Sequence, residues 1–522
     1  KQVYVLDDTR RQSIKKLAQE LGCHYITRPD NSYAKAGNLN NALKQTKGEL
    51  VVVFDADFVP TTNFLERTVG FFHNPKIGLL QTPQSYYNSD PIARNLGLEN
   101  VLTPEEEVFY RYLQPIRDGA GSVVCAGTSF IARRDALQEI GYFVTDSVSE
   151  DYFTGIRLSA KGYELAYLNE KLSAGLAAES IGAHIDQRLR WGRGTLQAFF
   201  IKSNPLTIPG LNFWQRLAHL EGLVHWLTCF PRVFFLFVPI ICTFGHLNPI
   251  VTSLPETMYV VLPYYILLLT VFSWLNRRSR SILLSDVYSI VQAIPVFITV
   301  IKVLLNPFGK GFKVTPKGLA RDKFNYNWSL ALPMTILLGA TLISFSISLL
   351  SFPETGFNLG MYWGAYNLIT IAVAMMTLLD LPKLSLYEWY SRKQEINIYG
   401  DRQVYQGTTQ KISEEGVQIS LDSPVHLSTN VMVELIPEIL ILSGKVTRSF
   451  AADGAFNAII KFQNVTTEQH RELVEMLYCR PGQWETRNIP NELQSGLILF
   501  KLLLRPLVFL NPKKVKQMKL HY

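Results

Sequence analysis

ELVVVFDAD, Glu49–Asp57, joins a run of aliphatic and aromatic residues to two carboxylates spaced one residue apart. A continuous apolar run closed by turn-forming acids predicts a strand buried on both faces. A helix from about Asn63 to Phe72 is expected after it, and a strand–helix pair, Val3–Leu6 and Arg11–Leu21, precedes it. Strand and helix in alternation predict an α/β domain with a parallel sheet, whose ligands bind beyond the carboxyl ends of the strands. Asp7-Asp8 closes the first strand and Asp55-Ala56-Asp57 the second, so acids gather at that mouth. Two carboxylates there can hold a hard divalent ion, with substrate phosphates completing its coordination. A helix-capping turn ahead of Pro60 reads equally well.

The chain has 522 residues and a formal net charge of +8, with a mean hydropathy of +0.09. Its length suits about three folding units. Its basic balance suits anionic lipid headgroups or a phosphorylated substrate. Nucleic acid is not an expected partner, because the Lys and Arg residues cluster in short links between apolar segments. The five cysteines are scattered, with no CxxC pair and no metal spacing, and read as reduced thiols. Lys1-Gln2 runs straight into the strand-like VYVL, which reads as a fragment lacking an N-terminal portion.

Outward from the α/β region, Val233–Gly245, Met258–Leu275, Ser329–Phe352 and Leu359–Leu379 carry no charge. The last three can cross a hydrocarbon core about 30 Å thick, and the first needs extension back through Leu220–Pro231. Ser281–Leu305 is apolar but interrupted by Asp286, Gln292 and Lys302, and reads as interfacial. The links Asn276–Arg280 and Gly309–Lys323 are basic, so the positive-inside rule puts them, and both flanking polar regions, on the cytoplasmic side. From about Trp389 to Tyr478, alternating runs such as GVQISL and VMVELI predict a small β-barrel. An amphipathic stretch, Leu497–Leu510, and a basic tail follow. The expected division is 1–205 transferase-like α/β domain, 206–385 membrane helices, 386–485 barrel, and 486–522 amphipathic helix and tail.

Three further stretches can carry chemistry. Lys35-Ala36-Gly37-Asn38 sets a cation and a flexible glycine before a helix, which suits a phosphate or a plain surface turn. Ser149-Glu150-Asp151 suits a helix N-cap with a favourable first turn, or a general base at Asp151. Gln187 and Arg190 in DQRLRW share a helix face. Arg190 can grip a pyrophosphate bidentately, and Trp191 offers a flat apolar face for a sugar ring.

In this order, LDD (Leu6–Asp8), KAGNLN (Lys35–Asn40), DAD (Asp55–Asp57), SED (Ser149–Asp151) and QRLRW (Gln187–Trp191) resemble the motifs of the processive family-2 membrane glycosyltransferases, most closely the bacterial cellulose synthases. FKVTPK (Phe312–Lys317) is similar to that family's gating loop, here within 311–322, and the barrel to a degenerate PilZ domain. The resemblance implies a GT-A-like transferase domain, a transmembrane helix bundle and a PilZ-like barrel. It implies inverting transfer of glucose from UDP-glucose to the 4-hydroxyl of a growing β-1,4-glucan, with export across a bacterial inner membrane. Asp7, Asp8, Lys35, Asp55, Asp57, Gln187 and Arg190 would bind the nucleotide sugar, and Asp55 and Asp57 would hold Mg²⁺, with Mn²⁺ as an alternative. Asp151 would be the base. Trp191, Glu150, Gly127 and Thr128 would line the acceptor glucan. Phe312, Val314, Thr315 and Lys317 would form the gate. The family's Phe-Phe-Cys-Gly-Ser loop is matched by Cys125–Thr128 with Cys125 one residue out of register. A periplasmic companion subunit is a further family expectation.

The barrel departs from the cyclic-di-GMP-binding pattern. Arg392 opens the R-x-x-x-R arm, but Ile396 stands at its second arginine. Ser413 and Gly416 keep the strand motif, but Lys411 replaces its acid or amide. Lost bidentate contacts predict weak cyclic-di-GMP binding. Two other readings compete: a synthase of another exported polysaccharide (β-1,3- or mixed-linkage glucan, chitin, hyaluronan), and a non-catalytic PilZ-type membrane sensor.

Overall fold

The computed structural model describes residues 1–247, 253–309, 317–318, 320–351, 359–383, 385–400, 403–421, 429–452 and 455–504. Tyr4–Leu6 pairs in parallel with His24–Ile26 across the helix Gln12–Glu20. The main sheet orders its strands Leu50–Val53, Phe130–Arg133, Ile77–Gln81, Glu164–Tyr167. It is mixed, not parallel as expected. Phe130–Arg133 runs antiparallel to both neighbours, while Ile77–Gln81 and Glu164–Tyr167 are parallel. A strand buried on both faces looks the same in sequence whichever way it runs.

That reversal shapes the mouth of the sheet. The start of Phe130–Arg133 lies beside the end of Leu50–Val53, with Val53 opposite Phe130. Cys125–Thr128 is thereby delivered to the same edge as Asp55–Asp57. Leu79, Phe130, Ala132, Leu137 and Leu158 are fully buried beneath this edge. A second small sheet, Phe58–Pro60 with Ser173–Gly175 and Ser85–Tyr86, lies alongside.

The helix Ile181–Leu196 carries DQRLRW. The Ser180 hydroxyl caps it on Ala183 N, and the Asp380 carboxylate accepts from Ile181 N at 2.9 Å. It packs on the apolar helices through Gly192, where a Cβ would meet the Trp226 ring at 2.7 Å. Among the described residues, four helical stretches are long and apolar enough to cross a membrane: Phe213–Phe244, Met258–Leu275, Ile282–Leu305 and Trp328–Leu350. Ile282–Leu305, expected to be interfacial, therefore has spanning length. Its Asp286 is met by Arg232 at 2.6 Å and by the Tyr366 hydroxyl. One side of it is buried against the N-terminal α/β domain in a cluster that includes Ile185, Leu284 and Tyr288. Leu359–Met376 is a further uncharged helix.

Described residues of both basic links meet the N-terminal α/β domain. The Arg280 guanidinium donates to Thr103 O and lies over the Tyr288 ring, and Lys317 pairs with Asp57. In the C-terminal region, Glu395–Gly400, Gln403–Ser413, Gly416–Leu421, Ala455–Phe462, Leu440–Ala452 and Asn430–Leu435 close into a six-stranded antiparallel barrel. Its core includes Ile398, Val417, Ile419, Val433 and Ile460, and Leu473 of the helix Thr467–Tyr478 packs against it. The C-terminal helix runs Glu492–Leu503, starting before the expected Leu497, because an Asn491/Gln494 capping box fixes its start. The basic tail lies outside the described residues.

Candidate active site

Asp55 and Asp57 leave the carboxyl end of Leu50–Val53. Thr128 holds this turn: its hydroxyl accepts from Asp55 N at 2.9 Å, and its side chain is buried. Thr128 therefore supports the acidic turn from below rather than opening onto an acceptor. Gln81 fixes the neighbouring loop, donating to Thr128 O and accepting from Ala126 N. The Lys35 ammonium reaches across from the helix Ala34–Gln45 to pair with Asp55 and to donate to Gly127 O at 2.6 Å.

Asp151 stands in the first turn of Glu150–Ala160. Ser149 makes no capping bond there, and Asp151 Oδ1 accepts from Tyr152 N at 2.8 Å. Asp151 Oδ2 faces Gly127, where a Cβ would come within 2.5 Å of it. Burial raises the Asp151 carboxyl above the ordinary range. Burial and the adjacent Asp151 push Glu150 up to about 7. Lys35 is opposed by burial, but Asp55, Glu150 and Asp151 together hold it above its ordinary value. Three carboxylates and one ammonium thus share one electrostatic environment.

The DQRLRW helix adjoins this group. Gly194 takes the Ser149 side chain against its backbone, with a built Cβ only 2.0 Å from Ser149 Oγ. Gln187 is buried, and Arg190 and Trp191 are partly exposed. Tyr86 bridges the two sides: burial pushes its phenol up, Glu106, Asp57 and Asp55 add to the push, and Arg188 opposes it. Asp7 is turned inward, accepting from Thr9 N, Arg11 N and Tyr25 OH, and so organises the first strand–helix turn. Asp8 is paired at 2.7 Å with Arg28.

Phe312, Val314 and Thr315, expected to form a gate, lie outside the described residues. Both flanks of that stretch are described. Arg193 donates to Gly309 O at 2.5 Å and Gln197 to Pro307 O at 2.9 Å. On the far side Lys317 pairs with Asp57, and Gly318 N donates to Glu179 Oε2 at 2.6 Å. Glu179 also pairs with the buried Lys383.

Among the described residues, no three His, Cys, Asp or Glu side chains come together as metal ligands. The DAD pair alone suits a hard cation that draws its remaining oxygens from a bound diphosphate. Asp55 and Asp57 are 41% and 29% accessible, open enough for such a shared ion. In the barrel, Arg392 is committed to Met476 O at 3.1 Å and to Glu438 at 2.6 Å, while Ile396 is a core residue.

The glycosyl transferase family group 2 pattern matches residues 50–276, and the PilZ domain pattern matches 386–479. The chain is 33% identical over 495 residues to the UDP-forming cellulose synthase catalytic subunit of Pseudomonas fluorescens SBW25, covering 92% of this chain and 66% of that one. The chain is a homologue of the cellulose synthase catalytic subunits. It is also 32% identical over 502 residues to the cellulose synthase 1 catalytic subunit of Komagataeibacter xylinus, with the same coverages of 92% and 66%. This cellulose synthase homologue thus spans about two thirds of the length of these relatives. A mannosyltransferase from Pyrobaculum calidifontis, solved with GDP-Man and Mn²⁺, is similar at 16% identity and a TM-score of 0.33, covering 58% of this chain and 77% of its own.

Sequence reasoning missed several charged residues that adjoin these motifs. Glu179 and Lys383 sit in no motif. Arg188 lies inside one, but its partners Glu105 and Glu106 come from a distant segment. Its spacing of three from Trp191 was the available signal.

Proposed function

We propose that the chain transfers glucose from UDP-glucose, with inversion, to the 4-hydroxyl of a β-1,4-glucan. Asp151 removes the 4-hydroxyl proton as O4 bonds to the anomeric carbon and the bond from that carbon to the UDP oxygen breaks. UDP leaves with the bonding electron pair. A general base of this kind contributes about 10²–10⁴-fold. Lys35 and Arg190 bind the diphosphate and stabilise charge as it develops there. Asp55 and Asp57 would hold a divalent cation, Mg²⁺ or Mn²⁺, which would supply positive charge to the leaving diphosphate. Trp191 carries the terminal sugar of the acceptor, beside Glu150 and Gly127.

The observation that carries this reading is the meeting of Asp151, Asp55, Lys35 and Gly127 at one edge of the sheet. The sensor reading has no use for that arrangement. The apolar helices are read as spans in a bacterial inner membrane, with the transferase domain and the barrel on the cytoplasmic side and the glucan leaving between the helices. The barrel is retained for structure or for a signal other than tightly bound cyclic-di-GMP.

The test is to incubate membranes containing the protein with radiolabelled UDP-glucose and Mg²⁺. Insoluble product degraded by a β-1,4-glucanase is expected. Product that resists it and shows another linkage on methylation analysis would favour a different polysaccharide, and no UDP release would favour the sensor.

A further inference from the structure

Arg188 lies inside DQRLRW, yet the resemblance gives a role only to Gln187, Arg190 and Trp191. Its guanidinium carbon lies 4.6 Å from the centroid of the Trp191 ring. The two residues are three apart, and so share a helix face. The Arg188 side chain is 8% accessible. Its Nη2 is 3.0 Å from Glu105 Oε2 and also pairs with Glu106 Oε1. Glu105 is itself fixed from two sides. Gln292, on the apolar helix Ile282–Leu305, donates to Glu105 Oε1 at 3.1 Å, and His184 Nε2 stands 3.4 Å from Oε2. Burial would push the Glu105 carboxyl up, but Arg188 and His184 hold it well below the usual carboxylate range. The charge facing Arg188 is therefore permanent at neutral pH.

A planar cation held by two carboxylates is a fixed lid on one face of the indole ring. We infer that Arg188 is a positioning residue for the acceptor: it covers one face of Trp191 and sets the tilt of the opposite face, on which the terminal sugar rests. The inference rests on the synthase reading. Transfer requires the 4-hydroxyl to lie within hydrogen-bond reach of Asp151. A platform displaced by about 1 Å would cost roughly 10²-fold in rate. The ion pairs of Arg188 run to Glu105 and Glu106, whereas Asp55 pairs with Lys35 and Asp57 with Lys317. Gln292 ties the same clamp to the apolar helix Ile282–Leu305.

The informative variant is Arg188→Lys in the full chain. Lysine keeps a positive charge against Glu105 and Glu106, so neither carboxylate is stranded, but it has no plane to lay on the indole. Arg188→Gln is the harsher companion. Three quantities are read in membranes: polymer formed, UDP-glucose hydrolysed to free glucose, and the inhibition constant for UDP. The expected result for Arg188→Lys is a UDP inhibition constant within about twofold of wild type, a roughly tenfold or greater loss of polymer, and a rise in hydrolysis relative to polymer. Glu106→Gln, which loosens one pin, should move the same ratio in the same direction by less. Unchanged polymer in Arg188→Lys would overturn the inference. So would a parallel loss of polymer and UDP affinity, the mark of a purely structural role. A wild type that makes no polymer would instead contradict the synthase reading beneath it.

Discussion

Asp151 and Gly127 are in direct opposition: a Cβ added at Gly127 would lie 2.5 Å from Asp151 Oδ2. Gly127 also has φ +86°, a conformation that side chains rarely adopt. The same residue offers its carbonyl to Lys35 at 2.6 Å. One glycine thus spaces the base from the ammonium beside it. Gly127→Ala should displace Asp151 and lower glucose incorporation by about 10²-fold or more. UDP should still bind, because Thr128 holds Asp55 through its backbone N and Lys317 pairs with Asp57. Incorporation of labelled glucose and displacement of bound UDP, measured on one preparation, check this.

The Glu150/Asp151 pair sets an acid limit on turnover. Burial and then Asp151 push Glu150 up to about 7, and burial raises Asp151 too. The pair retains a proton near neutrality that must leave before Asp151 can act as base. The rate of UDP release should therefore climb as pH rises through 7. Glu150→Gln removes a negative neighbour, lowers the Asp151 pKa and moves the acid limb to lower pH. Stability has the opposite sign. A carboxyl whose folded pKa is raised stabilises the fold at low pH, and that contribution is lost as pH rises through about 7. Between pH 5 and 8 (a range chosen around that value), the melting temperature should fall more in wild type than in Glu150→Gln. Identical pH–rate profiles in the two proteins would contradict the coupling.

Lys383 and Glu179 form a buried pair, 8% and 5% accessible; Lys383 also pairs with the less buried Glu388 at 2.7 Å, and Glu179 also accepts from Gly318 N. Lys383→Met leaves the Glu179 charge without its lysine and should cost roughly 3–5 kcal/mol. Adding Glu179→Gln should recover more than half of that loss. Thermal unfolding of the two single variants and the double variant gives the coupling, and strictly additive losses would show that the pair contributes nothing as a pair.

The barrel should bind cyclic-di-GMP weakly. Arg392 is engaged by Glu438 and Met476 O, and Ile396, at the second arginine position, points into the core. Each missing bidentate contact removes about 1–3 kcal/mol. Calorimetry on the full chain should give a Kd weaker than roughly 10 µM. Sub-micromolar binding would show that other side chains replace the lost arm.

Much of this was legible in the sequence because the motifs sit where elements end. DAD could be put at the mouth of a sheet because the apolar LVVV before it reads as a strand; the strand forms at the sheet edge, where Val53 is buried but Leu50, Val51 and Val52 are only half-buried. The barrel showed in GVQISL, whose alternation matches the inward Val417, Ile419 and Leu421. Strand direction did not show, since Phe130–Arg133 is buried on both faces and carries no periodicity to orient it. Asp286, Gln292 and Lys302 make this stretch look interfacial in sequence, yet Ile282–Leu305 has spanning length. Sequence cannot reveal that Arg232 and Tyr366, from other helices, meet Asp286. Arg188 was hidden for the same reason: its partners converge only in three dimensions.

The central claim is that Asp151 is the base and that acids from separate segments serve one reaction around it. Asp151→Asn tests it most directly, because the change removes proton affinity while nearly preserving shape. Polymer formation from labelled UDP-glucose should fall by about 10²-fold or more, while the affinity for UDP stays within about twofold of wild type. Retained polymerisation, or a loss of UDP affinity as large as the loss of polymer, would contradict the account.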